Sequence, residues 1–251
     1  MGTMDLSAYR SSPAEQQRIA DLMRLVPSDA VTALDIGARD GYLSAQLADR
    51  SLRVTALDLE KPAIADPRIH CVKGDITALE HADASFDLVL CAEVLEHIPA
   101  HLLARACGEL QRVAARHVIV GVPYKQDTRH GQTNCQACGA VNPPWGHVNR
   151  FDEQRLLELF PGCAVESKSF VGTAEMGTNA FSAALMNLAG NPYGTYSQDE
   201  PCIECGAALG EPGRRSLTQK AFTRAATVLR NLQAPLHRPH GNWIHLLLRR
   251  R

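Results

Sequence analysis

The sequence predicts an α/β fold built on a doubly wound, mostly parallel seven-stranded sheet. Short apolar runs recur at 31–37, 53–60, 70–76, 86–94 and 116–123, and segments with helical spacing at 40–50 and 99–114 lie among them. Strands alternating with helices at this pace indicate βαβ units. The runs are apolar almost throughout, which suits strands covered on both faces.

Taken in order, residues 13–26 place Ile19, Leu22, Met23 and Val26 at helical spacing behind Pro13, a residue suited to a first helical turn. VTALDIG (31–37) reads as a buried strand ending in glycine, and DGYLSAQLADR (40–50) as the helix after it. RVTALDLE (53–60), HCVKGDI (70–76), FDLVLCAEV (86–94) and RHVIVGVP (116–123) supply four more strands. Beyond Pro123 the rhythm breaks, and 124–150 is rich in Gly, Pro, Asn, Cys and His. FDEQRLLELF (151–160) is expected as a helix, 164–172 as a strand, 173–190 as helical, 191–213 as a loop, 214–233 as an amphipathic helix and WIHLLLR (243–249) as a strand closing the sheet edge. One domain over 1–251 is expected, with a core of 13–123, 151–190 and 214–251 and insertions at 124–150 and 191–213.

The apolar fraction of 45% and charged fraction of 21% suit a globular protein. No apolar run approaches the roughly 20 residues that span a bilayer. The start lacks the apolar core of a secretory signal, and Leu6 breaks the myristoylation pattern, so a cytoplasmic setting is expected. Charge is unevenly placed. Residues 212–251 hold nine Lys or Arg and no acid, while the remainder holds 17 basic and 27 acidic residues. Such asymmetry marks either an anionic partner or a solvated face.

The segment ALDIGARDGYLS puts Asp35, Gly37 and Gly41 at a strand-to-helix turn, where glycine lets a ligand approach the backbone. The spacing is GxxxG rather than the GxGxxG of a dinucleotide site. Asp58 ends the next strand 21 residues after Gly37, about the distance suited to an acid on ribose hydroxyls. The third strand runs into Gly74-Asp75-Ile76, a carboxylate and an apolar side chain for an adenine. The fourth ends in Glu93, followed by Val94-Leu95-Glu96-His97.

This set resembles the class I S-adenosylmethionine-dependent methyltransferases, which are Rossmann-like, and especially the group whose fourth strand runs into VLEH. The resemblance covers roughly residues 31–123 well and the later elements loosely. It implies S-adenosylmethionine as cofactor, with Asp35, Gly37 and Gly41 toward its methionine end, Asp58 with Leu59 on the ribose, Asp75 and Ile76 at the adenine, and Cys91, Ala92 and Glu93 beside it. The family's usual middle glycine is Arg39 here.

Of eight cysteines, four form two CxxCG pairs, Cys135/Cys138 and Cys202/Cys205, separated by 63 residues. Two such knuckles make a closed four-thiolate site, which points to structural zinc in an inserted zinc-knuckle subdomain pinning 124–150 to 191–213 as a lid over the substrate. The alternatives are a redox pair, or His147 in place of one thiolate. Asn142-Pro143-Pro144-Trp145 matches a motif of amino-methylating enzymes, but there it ends the fourth strand, so here it reads as loop.

Methyl transfer to a hydroxyl needs a base, and the candidates are His147, His97 and Tyr124. Similar bacterial methyltransferases carry a knuckle followed by GHxxxF, which makes His147 equally a scaffold residue. A small-molecule acceptor, such as a sugar, lipid-linked glycan or secondary metabolite methylated on oxygen, is favoured, because only 5% of residues are aromatic and the core is acidic, which speaks against nucleic acid. An RNA or protein methyltransferase using the zinc module for capture, and a non-catalytic zinc-stabilised scaffold, stay open. Leu217, Ala221, Ala225, Val228 and Leu232 share one face of 214–233, with Lys220, Arg224 and Arg230 away from it. That face is expected to dock on the sheet, with contact to an anionic membrane as the alternative.

Overall fold

A mostly parallel sheet takes the order β3-β2-β1-β4-β5-β9-β8, and the sequence explains each strand. They are β1 (Thr32–Ile36), β2 (Arg53–Asp58), β3 (Ile69–Lys73), β4 (Phe86–Ala92), β5 (Ala114–Pro123), β8 (Cys163–Val171) and β9 (Trp243–Arg250). The computed structural model describes residues 10–198 and 200–251. Most of the N-terminal stretch read above, and Asp199 of the second insertion, lie outside the described residues.

The chain forms two compact units. The first comprises residues up to Tyr124, Phe151–Thr173 and Gly241–Arg251; the second comprises Lys125–Arg150 and Ala174–His240. Residues 174–190 and 214–240, read above as core, therefore fall in the second unit.

In the first unit, successive strand residues go to opposite faces. Ala33, Val54, Ala56, Leu88, Leu90 and Ile119 join Leu22 of α1 (Pro13–Arg24) and Leu47 of α2 (Tyr42–Ala48). Leu34, Ile36, Leu57, Val89, Val118 and Val120 join Leu103 and Leu110 of α3 (Ala100–Val113). Each fully buried leucine contributes about 1.5–3 kcal/mol. The helix α1 begins at Ser12, whose hydroxyl accepts from the Glu15 N–H. It stops at Arg24, two residues short of the expected end, because Pro27 disfavours helix in the residue before it. The short α4 (Glu153–Glu158) follows an Asp152 cap.

Two expectations need correction. β9 does not close the sheet edge: it lies antiparallel between β5 and β8, and β8 is the edge. The register explains this, since Val118, Val120 and Val122 of β5 pair directly with Leu248, Leu246 and Ile244 of β9, and all six are buried. The helix expected over 173–190 is only α5 (Ala180–Leu188), begun by a reciprocal cap between Asn179 and Ser182.

The second unit holds a two-stranded ribbon, β6 (Thr133–Asn134) with β7 (Val141–Asn142), then α5 and α6 (Leu217–Asn231). α6 packs on α5. Its buried residues are Thr223 and Ala226, whereas Leu217, Val228 and Leu232 are 84%, 58% and 70% exposed. The stripe expected to dock is the uncovered one. The fully buried positions of α6 carry small side chains, with Phe222 and Leu229 half-buried beside them.

Candidate functional site

Parallel register sets the ends of β3, β2, β1 and β4 side by side. Ile36 pairs with Leu57 and Cys91, and Asp58 with Lys73. The Gly37 and Ala38 N–H groups donate to the Leu57 carbonyl, and Gly74 N–H donates to that of Asp58. Asp35, Gly37, Gly41, Asp58, Leu59, Asp75, Ile76, Cys91, Ala92 and Glu93 thus all fall at the carboxyl ends of four adjacent strands. Ligands of open α/β sheets bind at that end.

The turn after β1 requires its glycines. Gly37 and Gly41 have φ of 74° and 80°, and a Cβ would come within 2.4 Å of Val94 and 2.3 Å of Ile64. Arg39 between them holds φ at 47°, a left-handed conformation uncommon for a residue with a Cβ. Its N–H donates to Asp58 Oδ2 at 2.9 Å, and Leu59 N–H donates to Oδ1 at 2.7 Å. One bond to each oxygen fixes the Asp58 carboxylate and leaves lone pairs for two further donors. Asp75, exposed, caps its own turn by accepting from the Thr77 N–H and hydroxyl on Oδ1, which leaves Oδ2 open.

Asp35 is different. It is buried and accepts from the Ser44 hydroxyl at 2.6 Å. Burial drives its carboxyl up to about 7 against the Ser44 hydrogen bond, with the Asp58 charge adding to the rise. Ile76 and Cys91 are likewise buried in the core, and Leu59 is 65% exposed.

Glu93 follows β4 in a left-handed conformation, φ 57°. Burial lifts its carboxyl to about 6, against the Arg18 charge and a 3.1 Å hydrogen bond from the Trp243 indole. Arg18 faces the Trp243 ring and pairs with the buried Glu15. This chain of polar groups from α1 to the β4 end was not anticipated from the sequence, where Glu15 and Arg18 look like a solvated helix face. Glu96, in the single turn Leu95–His97, is fully buried, and burial with the Glu93 charge raises its carboxyl well above the ordinary range. Burial and then the Arg39 charge depress His97 to about 4.

Of the other two base candidates, Tyr124 follows β5 with its ring 4.7 Å from that of Phe170. His147 belongs to the second unit, where it is buried with Nδ1 2.6 Å from Gln126 Oε1.

The four cysteines of the CxxCG pairs converge within the second unit, all four Sγ atoms lying within 4.8 Å of one another. The two knuckles share one hydrogen-bond plan. Cys135 N–H donates to Ala140 O and Cys202 N–H to Ala207 O; Gly139 and Gly206 donate back to the cysteine carbonyls with φ of 77° and 71°. Cys135 and Cys205 are 3.6 Å apart, and Cys138 and Cys202 3.7 Å. A zinc ion with sulfur at about 2.3 Å would set tetrahedral thiolates about 3.8 Å apart. The Cys205 N–H, against the cost of burial and aided by that of Glu204, holds the Cys202 thiol down to about 6. Asn142 ties the knuckles together, its Oδ1 accepting from Ile203 N–H at 2.9 Å.

Residues 34–120 match the family described as "Methyltransferase domain". The chain is 37% identical over 178 residues to a ubiquinone biosynthesis O-methyltransferase of Aeromonas salmonicida, covering 65% of this chain and 67% of that protein. It is 34% identical over 88 residues to the Sodalis glossinidius protein of the same description, covering 31% and 35% respectively. The matches therefore span between about a third and two thirds of these relatives' lengths. In fold, the chain is similar to the Burkholderia thailandensis 1,6-didemethyltoxoflavin-N1-methyltransferase solved with S-adenosylhomocysteine, at TM-score 0.54 and 15% identity over 97% of this chain and 80% of that one. The strand order with one antiparallel strand, the glycine turn with its following acids, and these matches agree: the chain belongs to the class I S-adenosylmethionine-dependent methyltransferases.

Proposed function

We propose that this protein transfers a methyl group from S-adenosylmethionine to a hydroxyl oxygen of a small molecule. The observation that carries this reading is the oriented Asp58 carboxylate, locked by two backbone N–H groups beside a turn that only glycine can make at Gly37 and Gly41. Its open lone pairs suit the ribose hydroxyls, and Asp75 Oδ2 suits the adenine amine. Oxygen as acceptor atom is supported by the O-methyltransferase descriptions of the relatives. Sugars, lipid-linked glycans and secondary metabolites are the acceptor classes to test first.

When bound, the sulfonium supplies an electrophilic methyl group, and the protein's task is positioning and proton removal. His97, which follows the end of β4, is the proposed base: its pKa, depressed to about 4, leaves the ring unprotonated at neutral pH but only weakly basic, so it would take the proton as the methyl bond forms and the acceptor hydroxyl becomes acidic. Cys135, Cys138, Cys202 and Cys205 are proposed to hold structural zinc, since four thiolates leave no open coordination position. Zinc-binding thiols persist in a reducing compartment, which supports the cytoplasmic setting.

Calorimetry with S-adenosylmethionine is expected to give saturable binding that Asp58→Ala weakens roughly tenfold or more, the value of one or two charge-assisted hydrogen bonds. Labelled-methyl transfer should then appear with a hydroxylated acceptor, and His97→Gln should lower kcat by about a hundredfold without changing cofactor affinity. No cofactor binding by the wild-type chain would leave the non-catalytic scaffold as the reading.

A further inference from the structure

The second unit carries an apolar helix face that is exposed among the described residues. On α6, Leu217, Ala221, Ala225, Val228 and Leu232 are all exposed, and helical spacing sets this stripe opposite the buried Ala226. Leu236, just beyond, is 82% exposed. On α5, which has no charged residue, Phe181 and Leu188 are 78% and 61% exposed. Isolated exposed leucines are ordinary, but an uninterrupted stripe through a four-turn helix marks an interaction face.

Along the helix and its flanking chain the charge has one sign. Residues 212–240 contain Arg214, Arg215, Lys220, Arg224, Arg230 and Arg238 and no Asp or Glu. Lys220 and Arg224, expected away from this face, are exposed, border the stripe at helical spacing, and have no ion-pair partner among the described residues. Arg230 is turned inward, donating to the Met176 carbonyl. An apolar stripe with cations along its border is the chemistry of a helix lying in the headgroup boundary of an anionic bilayer. No helix among the described residues is long and apolar enough to cross a membrane.

We propose that α6, supported by the exposed face of α5, docks this protein on an anionic phospholipid surface. The cations bring the helix to the lipid, and Leu217, Val228, Leu232 and Leu236 bury among the acyl chains. The inference does not depend on the acceptor or on catalysis.

The test is sedimentation of the full chain with vesicles. Wild-type protein is expected to pellet with phosphatidylcholine vesicles containing phosphatidylglycerol, to stay in solution with pure phosphatidylcholine, and to be released by about 0.5 M salt, where the screening length falls to a few ångströms. Replacing both cations, Lys220→Gln with Arg224→Gln, should lower partitioning about 30-fold, roughly fivefold per basic side chain. The triple variant Leu217→Gln, Val228→Gln and Leu232→Gln removes the apolar part and should lower it at least about tenfold. These side chains are exposed, so an unchanged thermal midpoint is expected and separates lost binding from lost fold. Equal partitioning onto neutral and anionic vesicles, or variants that pellet like wild type, overturns the proposal. So does a self-associating chain that ignores vesicles and becomes monomeric in the triple variant, which would assign the face to a second copy.

Discussion

Asp35 is a carboxyl held where its charge is unwelcome. With a folded pKa near 7 against an ordinary 3.8, the folded state retains a proton that the unfolded chain has lost. Stability from this group is present below pH 4 and is lost as pH rises through 7. The contribution reaches a few kcal/mol, because each tenfold change in acid strength is worth about 1.4 kcal/mol. Urea melts at pH 5 and 8 should therefore show a smaller pH 8 penalty in Asp35→Asn, whose amide keeps a partner in Ser44 without titrating. An unchanged penalty would place the pH dependence elsewhere. Asp58 and Asp75 were readable in the sequence because Asp58 is the last residue of β2 and Asp75 comes two residues after β3, so the chain direction alone puts them at the strand ends. The Glu15–Arg18–Trp243–Glu93 connection was not, because its members come from opposite ends of the chain and only the sheet's closure brings them together.

At the level of elements, α6 separates what periodicity reveals from what it hides. Spacing identified the helix and grouped its apolar side chains correctly. It did not tell which side would be covered, because that depends on the shape of the neighbour; α6 packs on α5 and buries Thr223 and Ala226. Two substitutions distinguish the faces. Ala226→Asp, which buries a carboxylate against α5, is expected to cost about 2–3 kcal/mol or more, whereas Leu217→Gln should stay within about 0.5 kcal/mol. A reversed order in chemical denaturation would restore the docked stripe. The inner strands β1, β4 and β5 were legible for a complementary reason: they are buried along nearly their whole length, which leaves few other assignments.

On the scale of the molecule, the second unit has little to hold it by burial. Its ribbon strands have two residues each, and the apolar cluster around the knuckles is Cys135, Cys202 and Leu209 with Ala140, Tyr196 and Ala207 at its margin. Small units with so slight a core need a staple. Emission spectrometry is expected to find one zinc ion per chain, and a strong chelator should lower the thermal midpoint by several degrees, since the free energy of binding is also free energy of folding. A metal-free protein indifferent to the chelator would sink the four-thiolate site. The two CxxCG motifs pointed to the convergence of the four thiols, but the membership of 174–190 and 214–240 was hidden, because both segments show ordinary helical patterns that a sheet could equally have covered.

The position of β9 bears on how the protein is made. Pro123 of β5 pairs with Trp243, so the bond between neighbouring inner strands waits on 120 residues of further chain. At about 5–20 residues per second, β5 leaves the ribosome roughly 6 to 24 seconds before its partner. Throughout that interval β5 presents an open edge of unpaired N–H and C=O groups between apolar side chains, the kind that recruits other nascent chains. Synthesis of this protein thus includes a timed exposure that a holding chaperone would shorten in effect, and the whole of the second unit is translated while it lasts.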